Sequence, residues 1–241
     1  MGKICCTAIV LAAGKGKRMG AKIQKQYLML KGKPVLYYSL KAFQDSPLID
    51  EIYLVVGAGE EAFCKSEVIN KYGIAKVKKI IAGGKERYHS VWNGLQEVGG
   101  EGYTFIHDGA RPLVDGTIIE RALSEVKRYK ACVVGMPVKD TIKISDKDGM
   151  AKRTPDRRNL WMVQTPQVFD NQLIKKAYSL QMGEPYINVT DDAMVVEHML
   201  KYPVKLVLGS YDNIKITTPE DLEIAEVFLR RKEEKKKIKK Y

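Results

Sequence analysis

A glycine loop rich in cations carries the strongest chemical signal in this sequence. Residues 11–28 read LAAGKGKRMGAKIQKQYL and follow an apolar, β-branched run. The glycines at 14, 16 and 20 let backbone N–H groups approach a ligand closely, and such groups together with cations bind phosphate. Nine Lys and Arg residues precede the first carboxylate, Asp45. The pattern predicts a polyanion site, and we expect a nucleoside triphosphate to occupy it.

The loop departs from two well-known phosphate-binding motifs. A Walker A loop needs Lys after its last glycine, but Ala21 follows Gly20 here. In the dinucleotide fingerprint the third glycine comes three residues after the second, and here it comes one residue late. The second predicted strand also ends in Val-Val-Gly, without the carboxylate that would hold a ribose.

Three further clusters follow predicted strands. Residues 82–91 (AGGKERYHSV) offer glycines and a serine, and residues 211–215 (YDNIK) offer a carboxylate and a cation. Residues 107–112 (HDGARP) place Asp108, an oxygen ligand suited to Mg²⁺, beside Arg111, which can grip an anion bidentately. Ordinary turns and an internal Asp108–Arg111 pair remain alternatives. Together the clusters suggest a metal–nucleotide and a phosphorylated co-substrate on one rim, with Asp212 as a second metal carboxylate.

Apolar β-rich runs alternate with amphipathic helical patterns along the chain. The predicted strands are Cys5–Leu11, Ile52–Val56, Val77–Ile81, Thr104–His107, Ala131–Pro137 and Val204–Leu208. The predicted helices are Val35–Phe43, Glu60–Tyr72, Ser90–Val98, Thr117–Tyr129, Asp191–Leu200 and a last helix that begins at Thr218-Pro219. Because the strands are continuously apolar, we expect a mostly parallel α/β sheet covered on both faces, with ligands at its carboxyl edge.

Residues 139–163 interrupt this alternation. They are polar and weakly alternating, and Asp148-Gly149 is a hairpin-turn signal. The segment has too few apolar side chains to form a core of its own. Ile142, Ile144, Leu160 and Trp161 favour an arm that packs on a second subunit over a mobile surface hairpin.

Composition indicates one globular domain, 1–229, followed by a basic tail, 230–241. The chain has 241 residues and a net charge of +12, half of which lies in the tail. We interpret the tail as a solvated charge run, because no nucleic-acid-binding motif accompanies it. Four cysteines without zinc spacing, three of them in strand-like runs, indicate buried thiols in a reducing, cytoplasmic compartment. No stretch is long and apolar enough for a membrane span.

The clusters, in this order, resemble the 2-C-methyl-D-erythritol 4-phosphate cytidylyltransferase family of nucleotidyltransferases. The matching segments are LAAGKGKRMG, KQYL, GGKERYHSV, HDGARP, PVKDTIK, TPDRRNLW, QTPQVF, TDDA and DNIKITTPEDL. They cover nearly the whole chain, and the ordered set is far more specific than any one of them. The resemblance implies a Rossmann-like mixed, mostly parallel sheet flanked by helices, with a protruding β-arm that forms a homodimer.

The resemblance also implies a mechanism in the non-mevalonate route to isoprenoids. CTP binds with Mg²⁺, the acceptor phosphate attacks the α-phosphorus in line, and pyrophosphate leaves. Arg18 and Lys25 would stabilise charge on the α-phosphate. The residues implied to hold CTP are Ala12, Ala13, Gly14, Gly16, Gly83, Ser90, Asp108 and Lys215. Those implied to surround the acceptor are Arg111, Thr141, Arg157, Thr190, Asp212 and again Lys215, with Thr141 and Arg157 reaching from the partner's arm.

Two positions depart from the family pattern. Gln24 stands where the family usually has Pro, which predicts a less rigid path into Lys25. Lys85 stands where Asp is common, so a phosphate contact would replace a carboxylate there.

Three rival functions stay open at this point. Ribitol 5-phosphate cytidylyltransferases share the fold and chemistry, but Gly109-Ala110 before Arg111 is more typical of the methylerythritol enzymes. A sugar-1-phosphate uridylyl- or thymidylyltransferase is a second rival. A non-catalytic nucleotide- or RNA-binding module is the third, and Asp108 and Asp212 argue against it.

Overall fold

A computed structural model describes residues 4–14, 24–184 and 189–238, apart from the side chains of residues 235–237. The strands are β1 (Cys5–Ala12), β2 (Met29–Leu30), β3 (Lys33–Pro34), β4 (Glu51–Val56), β5 (Val77–Ala82), β6 (Gly102–Asp108), β7 (Ala131–Pro137), β8 (Ile144–Ser145), β9 (Ala151–Arg153), β10 (Trp161–Asp170) and β11 (Lys205–Leu208). The α-helices are α1 (Val35–Asp45), α2 (Glu61–Cys64), α3 (Arg87–Glu97), α4 (Gly116–Tyr129), α5 (Asn171–Gly183), α6 (Asp192–Leu200) and α7 (Pro219–Ile238). A π-helical stretch, Lys65–Asn70, continues α2, and Lys25–Tyr27 and Arg157–Asn159 are 3₁₀ turns.

Seven strands form one sheet in the order β11-β7-β10-β6-β1-β4-β5. Neighbouring strands are parallel except that β10 runs antiparallel to both β6 and β7. The predicted mixed, mostly parallel α/β sheet is therefore confirmed. Leu11 is paired with Asp108 across β1 and β6, which sets the end of the glycine-loop strand beside the carboxylate cluster.

Both faces of the sheet are buried, as the continuous apolar strands predict. On β1, Ala8 and Val10 belong to a cluster with the helices α1 and α4. Ile9, between them, belongs to a second cluster with α3, α5 and α6. Because successive strand residues point to opposite faces, this division shows helices covering both sides of the sheet.

The six predicted strands are found with small shifts at their ends. α3 begins three residues before the predicted start because Glu86 and His89 form a reciprocal capping box, which brings Arg87 into the first turn. Cys6 and Cys132 are buried as predicted, whereas Cys5, at the start of β1, is only half-buried.

Two longer elements, β10 and α5, were not predicted, and neither was the short pair β2 and β3. Pro166 lies inside β10, and proline normally argues against a strand within a sheet. The pairing of β10 with β7 is irregular between Val163 and Gln167, which accommodates the proline. α5 begins where the Asp170 carboxylate accepts from the backbone N–H groups of Gln172 and Leu173, both at 3.0 Å.

Residues 139–163 contain a small antiparallel hairpin outside the seven-stranded sheet. β8 pairs with β9, and Gly149 adopts a positive φ of 82° in the turn between them, as the Asp-Gly signal predicts. Ile142 and Ile144 are exposed, at 39% and 37%. The docking of this segment on a second subunit stays a prediction.

α7 runs without a break across the predicted boundary between domain and tail at residue 230. The Lys232 amine donates to the Leu113 carbonyl at 2.7 Å and pairs with Asp115 at 3.2 Å. Glu233 pairs with Lys31 at 2.6 Å. The first part of the basic segment therefore packs on the domain. In the described ranges no helix is long and apolar enough to cross a membrane.

Candidate active site

A cavity of about 600 Å³ opens at the carboxyl edge of the sheet, where the glycine loop leaves β1. It collects residues from five separate stretches of the chain. Seven of the predicted site residues line it: Ala12, Ala13, Gly14, Lys25, Ser90, Asp108 and Lys215. The remaining lining residues are Leu11, Gln26, Gly84, Lys85, Glu86, Arg87 and Ala110. This convergence is the expected consequence of parallel strands ending at one edge.

The other predicted site residues are not among those that line the cavity. Gly16 and Arg18 lie outside the described residues. The described residues Gly83, Arg111, Thr141, Arg157, Thr190 and Asp212 do not line this cavity.

Asp108 is the electrostatic centre of the cavity. Its carboxylate lies 2.8 Å from the Lys215 amine, 3.4 Å from Arg87 Nε and 3.8 Å from Arg111 Nε. Burial would raise the pKa of Asp108, but attraction to Arg87, Lys215 and Arg111 outweighs it and holds that pKa well below its usual range. Asp108 is therefore ionised under all physiological conditions.

One alternative reading of the sequence is an internal ion pair between Arg111 and Asp108. The contact between them exists but is long, at 3.8 Å, and Arg111 has other partners. Its Nη1 donates to the Asn213 carbonyl at 2.9 Å, which ties the loop after β6 to the loop after β11. Its Nε is buried and has no hydrogen-bond partner among the described atoms. An unsatisfied donor of this kind carries a free-energy cost that an anionic ligand could remove.

Arg87 is held between two carboxylates. Its Nη1 and Nη2 donate to Asp192 Oδ1 and Oδ2, both at 2.8 Å, in a bidentate pair. Asp192 is completely buried and also accepts from Tyr178 Oη at 2.5 Å. The Gln167 side chain accepts from the backbone N–H of Asp192 at 2.9 Å. Arg87 thus has a fixed orientation toward Asp108.

His107 supports Asp108 from beneath the cavity. Its Nε2 lies 3.2 Å from the Arg111 carbonyl, which can only accept, so Nε2 carries the proton. Its Nδ1 then accepts from the Thr165 hydroxyl at 3.0 Å, and the same hydroxyl accepts from the Asp108 N–H at 3.0 Å. Burial lowers the pKa of His107 to about 4, which keeps the ring neutral.

The second glycine cluster divides into a packing residue and a lining residue. A Cβ on Gly83 would lie 2.4 Å from Ala13 Cβ, so only glycine allows these two loops to meet. The Gly83 N–H donates to the Val56 carbonyl at 2.7 Å. Gly84, one residue later, is the one that lines the cavity. The Ser90 hydroxyl accepts from Gly84 N–H at 3.0 Å and donates to the Glu86 carbonyl at 3.3 Å.

Residues 137–139, which lead into the hairpin, contact the loop after β11 beside the cavity. The Lys139 amine lies 3.5 Å from the centre of the Tyr211 ring, and Tyr211 Oη donates to the Pro137 carbonyl at 2.8 Å. Arg157 is exposed and donates to the Lys139 carbonyl at 2.9 Å. Asp212 is half-buried in the same loop. Thr141 and Thr190 are exposed, and the Thr190 hydroxyl contacts Met194 Sδ at 3.6 Å.

Sequence reasoning did not assign roles to Arg87, Asp192 or His107. Arg87 and Asp192 are separated by 105 positions, so no local spacing could pair them. The signal for Arg87 in the sequence is the run Lys85-Glu86-Arg87 directly after the glycines, where a cation begins a helix beyond a strand end.

The fold and the cavity together define an α/β protein with a charged cavity at the carboxyl edge of its sheet, the edge at which proteins of this architecture bind their ligands. The chain matches the sequence profile of the 2-C-methyl-D-erythritol 4-phosphate cytidylyltransferase family over residues 6–231. It therefore belongs to that family, whose members are nucleotidyltransferases.

Individual relatives agree over nearly their whole length. The 2-C-methyl-D-erythritol 4-phosphate cytidylyltransferase of Lachnoclostridium phytofermentans is 51% identical over 224 residues, which are 93% of this chain and 96% of the relative. That of Lachnospira eligens is 53% identical over 225 residues, 93% and 99% of the two chains. Among solved structures, the 4-diphosphocytidyl-2C-methyl-D-erythritol synthase of Anaerococcus prevotii has a TM-score of 0.83 at 32% identity and covers 94% of this chain and 96% of its own.

Proposed function

We propose that this protein transfers CMP from CTP to 2-C-methyl-D-erythritol 4-phosphate. The products are 4-diphosphocytidyl-2-C-methyl-D-erythritol and pyrophosphate, in isoprenoid biosynthesis. Membership of the family supports the reaction, and the cavity supports the site. The observation that carries the proposal is the convergence of the loop backbone at 12–14 with Lys25, Asp108 and Lys215 around one space of about 600 Å³.

This reaction requires the protein mainly to position the substrates and to neutralise their charge. An oxygen of the acceptor phosphate attacks the α-phosphorus of CTP, a new P–O bond forms, and the bond to the β-phosphate oxygen breaks with departure of pyrophosphate. Negative charge accumulates on the α-phosphate oxygens as this happens. Lys25 lines the cavity and stabilises that charge, and Arg18 of the same loop has the same role.

The nucleotide is held by the backbone of residues 12–16 at its phosphates and by the second glycine cluster at its base. Gly14 lies at the end of β1, where exposed N–H groups can bind phosphate oxygens. Gly84 and Ser90 line the cavity for the base, and Gly83 brings their loop against Ala13.

The residues present fit Mg²⁺ bound jointly by protein and nucleotide. The described ranges contain no group of three or more His, Cys, Asp or Glu residues that could hold a metal alone. Mg²⁺ is commonly bound through one or two carboxylates together with substrate phosphates, and Asp108 supplies an ionised carboxylate inside the cavity. When bound, the ion neutralises phosphate charge. We propose Asp212, in the loop after β11, as a second carboxylate for Mg²⁺.

The acceptor binds beside the cavity, toward the hairpin. Arg111, whose Nε makes no hydrogen bond among the described atoms, is the residue that we propose for the acceptor phosphate, and we propose Lys215 as the cation between the two substrates. Thr190 and Asp212 are the further contacts that we propose for the polyol. The hairpin segment reaches across a homodimer, so that Thr141 and Arg157 complete the acceptor site of the partner subunit.

Pyrophosphate release tests the choice of both substrates. We expect release with CTP, Mg²⁺ and 2-C-methyl-D-erythritol 4-phosphate, and at least about a hundredfold less with ATP, GTP or UTP, because a site built to pair with one base rejects those that leave its polar groups unpaired. Ribitol 5-phosphate serves as the control acceptor. Release with ribitol 5-phosphate alone would contradict the proposed acceptor, and no release with any acceptor would contradict catalysis.

A further inference from the structure

The short segment that carries Lys25 is tied to the protein on both sides of this residue. Lys25 opens the 3₁₀ turn Lys25–Tyr27, and its neighbours are Gln24, Gln26 and Tyr27. Each of these three side chains makes hydrogen bonds to parts of the chain that line or support the cavity. The position of the Lys25 backbone therefore depends on contacts made by residues other than Lys25.

Glu60, in the loop after β4, is the main anchor. Its carboxylate accepts from Gln24 Nε2, from Tyr27 Oη at 2.8 Å and from the Gly57 N–H at 3.2 Å. The Tyr27 hydroxyl has a single proton, which it donates in the hydrogen bond to the Glu60 carboxylate. The Cys64 thiol, 3.0 Å from Tyr27 Oη, then acts as donor to the phenol oxygen. Burial raises the pKa of Tyr27 far above its usual value and that of Cys64 to about 11, so both keep their protons.

Gln26 connects this anchor to the end of β1. It is buried, and its Nε2 donates to the Ala12 carbonyl at 2.5 Å and to Gln24 Oε1. A continuous relay of hydrogen bonds thus runs from Glu60 through Gln24 and Gln26 to Ala12. The relay joins the loop after β4 to the backbone that cradles the nucleotide phosphates.

We propose that Gln24 and Glu60 are positioning residues for Lys25. This inference rests on the proposed role of Lys25 in stabilising the α-phosphate. The Lys25 amine lies at the end of a four-carbon stem, so a shift or rotation of the backbone at Lys25 moves the whole volume that the amine can reach. A shift of about 1 Å in a catalytic group can cost on the order of a hundredfold in rate, which makes the relay consequential.

The backbone at Gln24 shows what the relay replaces. Its φ is −66° and its ψ is 142°, within the narrow range that a proline ring imposes on φ. The side-chain bonds of Gln24 therefore hold a backbone shape that proline would hold covalently. This gives a rescue experiment, because Gln24→Pro loses the relay but keeps the shape.

Steady-state kinetics on four variants test the inference. For Gln24→Ala and Glu60→Ala we expect kcat to fall about tenfold or more, with KM for CTP changed less than about threefold, since an interaction realised only in the transition state is weakened. Glu67→Ala is the matched control, because Glu67 lies on the helical stretch that follows Glu60 but pairs with Lys71 at 3.2 Å; we expect wild-type kinetics. Gln24→Pro should recover most of the kcat that Gln24→Ala loses.

Melting temperatures accompany the kinetics, because Glu60→Ala also removes an acceptor for Gly57 and Tyr27. Gln24 is half-exposed, so Gln24→Ala keeps the test decisive if Glu60→Ala fails to fold. A kcat within twofold of wild type in Gln24→Ala would overturn the inference. So would a Gln24→Pro variant as slow as Gln24→Ala.

A double-mutant cycle separates this inference from the proposed function. In a Lys25→Ala background, Gln24→Ala should cause no further loss, because its effect passes through Lys25. Full additivity would contradict the inference and leave the role of Lys25 intact. Wild-type turnover in Lys25→Ala itself would instead contradict the proposed function.

Discussion

Asp108 shows how individual residues share the charge of the site. Arg87, Lys215 and Arg111 all approach its carboxylate, and Asp192 balances Arg87 from the opposite side. The group of five therefore carries one excess positive charge before any substrate binds. This charge would offset only part of the negative charge of a bound triphosphate, and because the groups are already oriented they would need little reorganisation during the reaction.

Replacing Lys25 tests, at a single residue, whether positive charge in the cavity stabilises the α-phosphate during the reaction. We expect Lys25→Ala to lower kcat by about 10²–10³, the usual cost of removing one donor from a developing charge. Lys41→Ala is the control, because Lys41 carries the same charge but pairs with Asp45 on the exposed side of α1. Pyrophosphate release measures both variants, and equal rates in the two would contradict the assigned role.

His107 gives a prediction on stability against pH. The folded protein holds the pKa of His107 at about 4, below its ordinary value of 6.5, through burial. Between these pH values the unfolded chain binds more protons, so the free energy of unfolding falls as the pH drops from 6.5 to 4, by up to about 3 kcal/mol. Urea unfolding at stepped pH measures this loss.

The control for that series is His107→Gln, which cannot titrate. Its free energy of unfolding should change less across the same pH interval. Asp108 does not confuse the result, because its lowered pKa places its loss of stabilisation below its ordinary value of 3.8. An equal slope in the wild type and the variant would show that other groups cause it.

At the scale of elements, the sheet edge assembles the cavity, and the hairpin is the element for which we propose a role in the acceptor site of the partner subunit. The ends of β1 and β6 are adjacent by register, and the loops after β4 and β5 pack beside them. The hairpin stands outside this sheet with Ile142, Ile144 and Met150 exposed, at 39%, 37% and 68%. Burial of these side chains against a second copy would stabilise a dimer.

Mixing two inactive variants tests whether the hairpin acts across the dimer. Lys25→Ala and Arg157→Ala protomers are each expected to be nearly inactive. In a mixed dimer, one site combines an intact Lys25 with an intact Arg157 from the other subunit, so an exchanged mixture should regain about a quarter of wild-type turnover. No recovery in a mixture shown to contain mixed dimers would place Arg157 in its own subunit's site.

The elements also show what the sequence can predict. Strong apolar runs identified six strands of the main sheet, because burial on both faces leaves a clear pattern. β10 was not predicted because Pro166 and two glutamines interrupt its apolar pattern. Arg87 was visible as part of a motif, but its partner Asp192 lies in another helix, and only the fold brings them together.

At the scale of the whole molecule, the positive charge of the chain has two prominent locations. Part of it surrounds the cavity, where we propose that a triphosphate and a phosphorylated acceptor are held together. Another part lies on α7, where Lys232 and Glu233 pack on the domain. The family membership, the sheet and the cavity all agree with one reaction, cytidylyl transfer.

The fate of the α-phosphate tests that reaction most directly. The protein is incubated with [α-³²P]CTP, Mg²⁺ and 2-C-methyl-D-erythritol 4-phosphate, and the products are separated by charge. We predict that the label moves into a diphosphate-linked cytidine product while the released pyrophosphate stays unlabelled. Label found in CDP, with the acceptor gaining a second phosphate, would show attack at the γ-phosphorus and contradict the account. Label found in CMP, with the acceptor unchanged, would show hydrolysis in place of transfer and contradict it as well.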